Sequence, residues 1–217
     1  MARKPLTTPR KTATQERARI TVDALVEATA RILVRDGFDR ASTNRIAEEA
    51  GVSIGSLYQY FPGKEALTAA VIERHNQQLM TIVHGAFQQA ETEPVETGIR
   101  LLVAAAIEAH RIAPALHCVL AEQTPRSGVL ANVELFQRSA YGLFQSYLEA
   151  RRDEVGVDDL DLATFICVTS IEALTHTAVI HRSDMLSERR ADELVDEATR
   201  LIARYLKLPA RRAAWPG

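Results

Sequence analysis

Residues 43–62, Thr-Asn-Arg-Ile-Ala-Glu-Glu-Ala-Gly-Val-Ser-Ile-Gly-Ser-Leu-Tyr-Gln-Tyr-Phe-Pro, constrain the fold more tightly than any other stretch of the chain. Ala47 is small where a second helix must cross closely, and Gly51 can take the positive φ that ends one helix and swings the chain into the next. Ile46, Ala50, Val52, Leu57 and Tyr60 supply an apolar seam that locks two short helices at a fixed angle. Ser53 has the short hydroxyl of an N-cap for the second helix. That helix turns outward Ser53, Gly55, Ser56, Gln59 and part of Tyr58, groups small enough for backbone to approach a groove wall while Gln59 reaches base edges and the hydroxyls reach phosphates. Lys64, one turn later, is placed to neutralise a phosphate. The pattern is that of a DNA-binding helix-turn-helix.

The charge distribution agrees. The formal net charge is only -2, but residues 1–64 hold 11 Lys/Arg against 7 Asp/Glu and residues 65–217 hold 15 against 21. The basic end is the one suited to phosphate. Residues 1–17, with Arg3, Lys4, Arg10, Lys11 and Arg17 and little that is apolar, are expected to form a disordered basic arm.

The rest reads as helices at 18–36, 43–50, 54–60, 64–90, 95–111, 114–122, 131–153, 159–181 and 188–206, with no strand-like alternation. Breaks are expected at Gly37, Gly51, Pro62-Gly63, Pro94, Pro114, residues 124–128, Gly156 and residues 183–187, where Ser187 is a second candidate N-cap. The expected fold is all-α: a helix-turn-helix domain over 18–63, a larger helical domain over 64–208 and a tail over 209–217.

From Gly37-Phe38 through Thr43, Ile46-Ala47, Gly51-Val52, Ser53, Leu57-Tyr58, Tyr60-Phe61, Lys64 and Leu67, the first 70 or so residues resemble the DNA-binding domain of TetR-type transcriptional regulators. The resemblance implies a three-helix domain joined by a long fourth helix to a ligand-binding domain that dimerises through its last two long helices. It also implies a cytoplasmic repressor that binds a two-fold operator in double-stranded DNA and is released by a small-molecule effector. Carried over by position, Thr43, Tyr58 and Lys64 are expected on phosphates, and Asn44, Ile54, Gly55, Ser56, Gln59 and Tyr60 on bases or in the groove. One departure is Pro62-Gly63, which stands where a Ser, Asp or Asn cap is common.

Beyond residue 70 the helix faces carry the reading. Leu194, Val195, Ala198, Leu201, Ile202, Tyr205 and Leu206 form one stripe on the last helix. That stripe suits either an intramolecular core or, with the helix over 159–181, half of a four-helix homodimer interface. In the second case, removing the last helix at about residue 186 is expected to leave monomers. Polar residues on otherwise apolar faces are candidates to meet an effector, because each needs a partner. These are His75, Gln78, Glu108, Gln137, Tyr141, Glu172 and His176, each of which also suits an ordinary internal hydrogen bond. Phe136, Tyr141, Phe144 and Tyr147 could line a flat ligand or simply fill a core. Carboxylates at Glu108 and Glu172 favour a cationic or hydrogen-bond-donating effector.

Other classes fit poorly. No Gly-x-Ser-x-Gly, Gly-rich phosphate loop or His-Glu-x-x-His occurs, so an enzyme is not expected, nor any cofactor. His110 and His117 are seven apart across Pro114, and no ligand spacing accompanies them, so no metal site is expected. Cys118 and Cys167 lie in apolar patterns and suit buried thiols better than a disulfide. The longest apolar run, residues 101–107, is well short of the ~20 residues of a membrane span, and the N-terminus lacks a signal-peptide core. An architectural DNA-binding protein would share the basic arm and helix-turn-helix but would not need 150 further residues.

Overall fold

Nine α-helices and two 3-10 turns, with no strand, make up the described residues of the computed structural model, which are 16–127 and 130–207, with the side chains of 122–136 left aside. The helices are α1 Glu16–Asp36, α2 Thr43–Glu49, α3 Ile54–Tyr60, α4 Lys64–Ala90, α5 Val95–Arg111, α6 Pro114–Ser127, α7 Leu130–Ala150, α8 Leu160–His181 and α9 Glu188–Leu206. Residues 1–15 of the expected arm, the expected tail and the side chain of Phe136 lie outside the described residues, while Glu16 and Arg17 open α1.

The boundaries follow local chemistry. Gly37 and Gly51 take φ of +76° and +67°, the left-handed region that lets a chain leave a helix without a Cβ clash. Asp159 caps α8 through Leu162 N at 3.0 Å. Two expectations need correction. α6 continues to Ser127, past Pro125, where a break was expected; a proline near a helix end removes one late hydrogen bond and does not unseat the turns before it. Ser187 precedes α9 but does not cap it, because its hydroxyl donates to Asp184 O at 2.9 Å in the preceding 3-10 turn.

The chain divides into two units, one up to Gln77 together with Ala115–Glu134, the other Gln78–Pro114 with Leu135–Gly217. The first unit is larger than residues 18–63, because Ala66, Leu67, Ala69, Val71 and Ile72 of α4 and Leu120 of α6 share one core with Leu25, Ile32, Leu33, Ile46, Leu57 and Phe61. The second has its own core of Phe87, Ile99, Val103, Phe144, Leu148, Cys167, Val195, Ile202 and Leu206.

In the second unit α9 packs mainly on α5. Val195, Ala198, Ile202 and Leu206 are therefore buried within the subunit, the intramolecular one of the two alternatives for that stripe; Leu201 alone of it stands out, 57% exposed. In the second unit α8 carries three exposed large apolar side chains, Leu162 (51%), Phe165 (56%) and Ile180 (39%), beside Ile112 after α5 and Leu201 of α9. α8, 22 residues long and with a mean hydropathy of 1.5 over its most apolar 18 residues, has the length and composition of a membrane span, although polar residues interrupt its apolar runs. Its other face, with Ala163, Cys167, Ile171, Thr175 and Ala178, is buried in the protein core.

Arg151 ties α7 to the end of α4. Its guanidinium donates to the carbonyls of Ala90 (2.7 Å) and Glu93 (2.9 Å) and lies 4.7 Å from the Tyr147 ring centroid. The last carbonyls of a helix lack partners within it, and a buried five-donor fork can satisfy several at once.

Candidate nucleic-acid interface and effector cavity

The helix-turn-helix is built from two seven-residue helices, too short to hold alone, so caps and core must hold them. Ser42 caps α2 by accepting from Arg45 N at 3.4 Å. Ser53 caps α3 by accepting from Ser56 N at 3.1 Å, and its hydroxyl also pairs with that of Ser56 at 2.8 Å. Val52 N donates to Ala47 O at 3.0 Å across the turn, and Ile46, Ala47 and Leu57 are almost wholly buried beneath it. α1 and α2 are joined on the surface by ion pairs from Glu49 to Arg31 (3.1 Å) and Arg35 (3.2 Å), and from Asp36 to Arg45 (2.6 Å). Hydrogen bonds from Arg31 first, then Arg35, hold the Glu49 carboxyl below its ordinary range. These guanidiniums are engaged with acids.

Asn44, Ser53, Ile54, Gly55, Tyr58 and Gln59 are exposed, and Ser56 and Thr43 are partly so. The Thr43 and Tyr58 hydroxyls lie 3.1 Å apart, so α2 and α3 present a linked polar pair. Two candidates are placed otherwise than expected. Tyr60 is only 9% exposed and packs in the core, because it shares the inner side of α3 with Leu57 and Phe61. Lys64 donates from Nζ to Phe38 O at 3.0 Å and sits 4.3 Å from the Phe38 ring centroid, so it braces the loop after α1.

The second unit contains a cavity of about 110 Å³ among α4, α5, α7 and α8. Apolar walls come from Leu79, Val83 and Phe87 of α4, Leu102 of α5, Phe144 of α7 and Val168 of α8. Of the sequence candidates, Gln137, Phe144 and Glu172 line it. Gln137 Nε2 donates to Glu172 Oε1 at 3.0 Å, crossing from α7 to α8.

The remaining candidates do not line it. His176 packs its ring against His110, centroids 5.4 Å apart. Tyr141 donates to the Asp161 carbonyl and carboxylate, both at 2.8 Å. Glu108 is exposed and paired with Arg111 at 3.1 Å, and Gln78 is exposed. His75 is buried in the first unit, its Nε2 3.1 Å from His117 Nδ1. Tyr147 is core, edge-on to Phe87 at 6.1 Å.

His110 is a lining residue that the sequence reading missed, having considered it only as a metal ligand. Burial, outweighing the hydrogen bond to Ala106 O at 2.7 Å, pushes its pKa below the ordinary 6.5. Because a carbonyl only accepts, that bond puts the imidazole proton on Nδ1. The apolar lining was legible only as a register: Leu79, Val83 and Phe87 are spaced four apart on α4.

A capped helix with an exposed polar face, carried by a chain whose other unit holds an apolar cavity, defines a helix-turn-helix transcription regulator. Family models match twice: bacterial regulatory proteins of the tetR family over residues 25–71, and the tetracyclin repressor-like C-terminal domain over residues 94–206. The chain belongs to the TetR family of DNA-binding transcriptional regulators.

Among curated relatives, the nucleoid occlusion factor SlmA of Glaesserella parasuis serovar 5 (strain SH0165) is 38% identical over 58 residues, 27% of this chain and 29% of that protein. The HTH-type transcriptional repressor DrrR1 of Streptomyces coeruleorubidus is 38% identical over 55 residues, 25% of this chain and 20% of that one. The chain thus matches under a third of these relatives' length. Solved structures share the fold over nearly the whole chain. A TetR-family transcriptional regulator from Mesorhizobium loti MAFF303099 has a TM-score of 0.72 at 19% identity, covering 88% of this chain and 97% of that one. The fatty acid degradation regulator FadR from Bacillus halodurans has a TM-score of 0.65 at 18% identity, covering 84% and 94%.

Proposed function

We propose that the protein is a homodimeric repressor that binds a two-fold operator through α3 and leaves it when a small molecule occupies the cavity of the second unit. The observation that carries DNA reading is the outward face of α3, where Gln59 is exposed while Leu57 and Tyr60 anchor the helix from below. In this reading Gln59, Asn44, Ile54, Gly55 and Ser56 face the groove, and Thr43, Ser53, Tyr58 and Lys64 face phosphates. Lys64 has one N–H engaged with Phe38 O and two further donors for a phosphate oxygen.

The apolar face of α8, with Leu162, Phe165 and Ile180, is the surface that a second copy would cover, helped by Leu201 of α9. Two copies would hold their α3 helices about one helical turn of duplex apart, ~34 Å. An effector that binds better to an arrangement with misplaced reading heads lowers operator affinity by its differential binding, on the order of 1–3 kcal/mol. Leu79, Val83 and Phe87, which line the cavity, lie on α4, the same helix that begins in the first unit. Such a protein works where DNA is, in the cytoplasm.

The similarity to nucleoid occlusion factors covers only about a quarter of the chain, so it does not carry that particular role over to this protein. Selection of fragments of its own genome by the purified protein tests the reading. An inverted repeat preferred over random duplex supports it. Equal binding to all duplexes would instead indicate an architectural protein.

A further inference from the structure

We propose that the cavity takes a lipophilic cation or protonated amine, its apolar body among Leu79, Val83, Phe87 and Phe144 and its positive head on the Glu172 carboxylate. This rests on the reading of that cavity as the effector site. Glu172 is the one acidic residue in a wall that is otherwise almost entirely apolar, and among the described lining residues there is no lysine or arginine to answer it. Gln137 occupies Oε1 and fixes the orientation of the carboxylate, but an amide brings no charge. A carboxylate beside apolar walls is stabilised most by a cation or a strong donor.

The neighbouring polar groups point the same way. Thr175 Oγ1 donates to the carbonyls of Ile171 and Glu172, both at 3.0 Å, so its remaining capacity is to accept. His110 uses its Nδ1 proton on Ala106 O, and its burial favours the neutral ring over a cation. The polar end of the cavity is thus anionic and rich in acceptors. An acidic ligand of similar shape would bring a second negative charge with no lysine or arginine among the described lining residues to meet it, only the buried His110, whose burial disfavours its charged form. The volume, about 110 Å³, is of the order of an apolar cavity that holds a single aromatic ring, ~150 Å³.

Three probes with one apolar body separate the chemistries: phenethylamine, 2-phenylethanol and phenylacetate, titrated calorimetrically into the full-length protein without DNA at pH 7. The amine is expected to bind about tenfold or more tighter than the other two, since bonds to a charged partner exceed neutral ones by about that factor. Glu172→Gln should reduce the amine to the affinity of the alcohol. Equal affinities, a preference for phenylacetate, no binding by any probe, or an amine preference that survives Glu172→Gln would overturn the proposal. The comparison on unaltered protein stands even if the variant misfolds. A parallel titration of the operator complex separates the two readings. An amine that binds through Glu172 without releasing DNA leaves the ligand class intact and sinks release by effector.

Discussion

Gln59 is exposed one residue before the buried Tyr60, and that 100° step along α3 divides reading from packing. Gln59→Ala is expected to weaken operator binding by about 1–3 kcal/mol while sparing random duplex, as for loss of a bidentate base contact. Fluorescence anisotropy with both DNAs measures it, and equal losses would remove Gln59 from base reading. Lys64 carries two duties. Lys64→Ala should flatten the salt dependence of operator binding by about one unit of slope and lower folding stability by roughly 1 kcal/mol through loss of the Phe38 contacts. A full slope with reduced stability would assign Lys64 to bracing alone. His110 supplies a pH signature. Its folded pKa lies below 6.5, so the unfolded chain takes up the proton first, and its contribution is complete above pH 6.5 and declines as the pH falls below it. Unfolding midpoints between pH 7.5 and 5.5 should therefore fall less steeply for His110→Phe than for the unaltered protein, and parallel curves would refute this.

Single elements depend on their ends as much as on their faces. α3 has seven residues, so one cap is a large part of what holds it. Ser53→Ala removes the acceptor for Ser56 N and should cost about 1 kcal/mol of stability. Fraying would also weaken DNA binding, and a thermal midpoint and operator affinity both unchanged would show that the loop alone positions the helix. Residue spacing foretold α3, its Ser53 cap and the left-handed Gly51, because these are contacts between neighbours in sequence. Ser187 has the same short hydroxyl ahead of a helix, yet the 3-10 turn before it offers the Asp184 carbonyl and takes the hydroxyl. Pro125 likewise read as a stop, but its position at the end of α6 leaves little helix to disrupt.

At the scale of the whole molecule, self-association rests on α8. Phe165→Glu changes a residue 56% exposed, so the fold should survive while a charge enters the proposed interface. Sedimentation is expected to give monomers with native helicity and weakened operator binding, whereas a dimer of normal affinity would move the interface elsewhere. Truncation at residue 186 does not test the same point, since it would strip Val195, Ile202 and Leu206 from the core against α5.

The helical plan, the helix-turn-helix and its polar outer face were legible in the chain itself, since hydrogen bonds four residues apart and caps three apart write a local period into the sequence. Which apolar stripe turns inward was not. α9 carries one stripe and α8 is apolar on both faces, and only the packing of α9 on α5 shows which apolar surface is already covered. The cavity is the same case. Gln137 and Glu172, 35 residues apart, meet because α7 and α8 lie side by side, and no spacing along one helix encodes a distance between two.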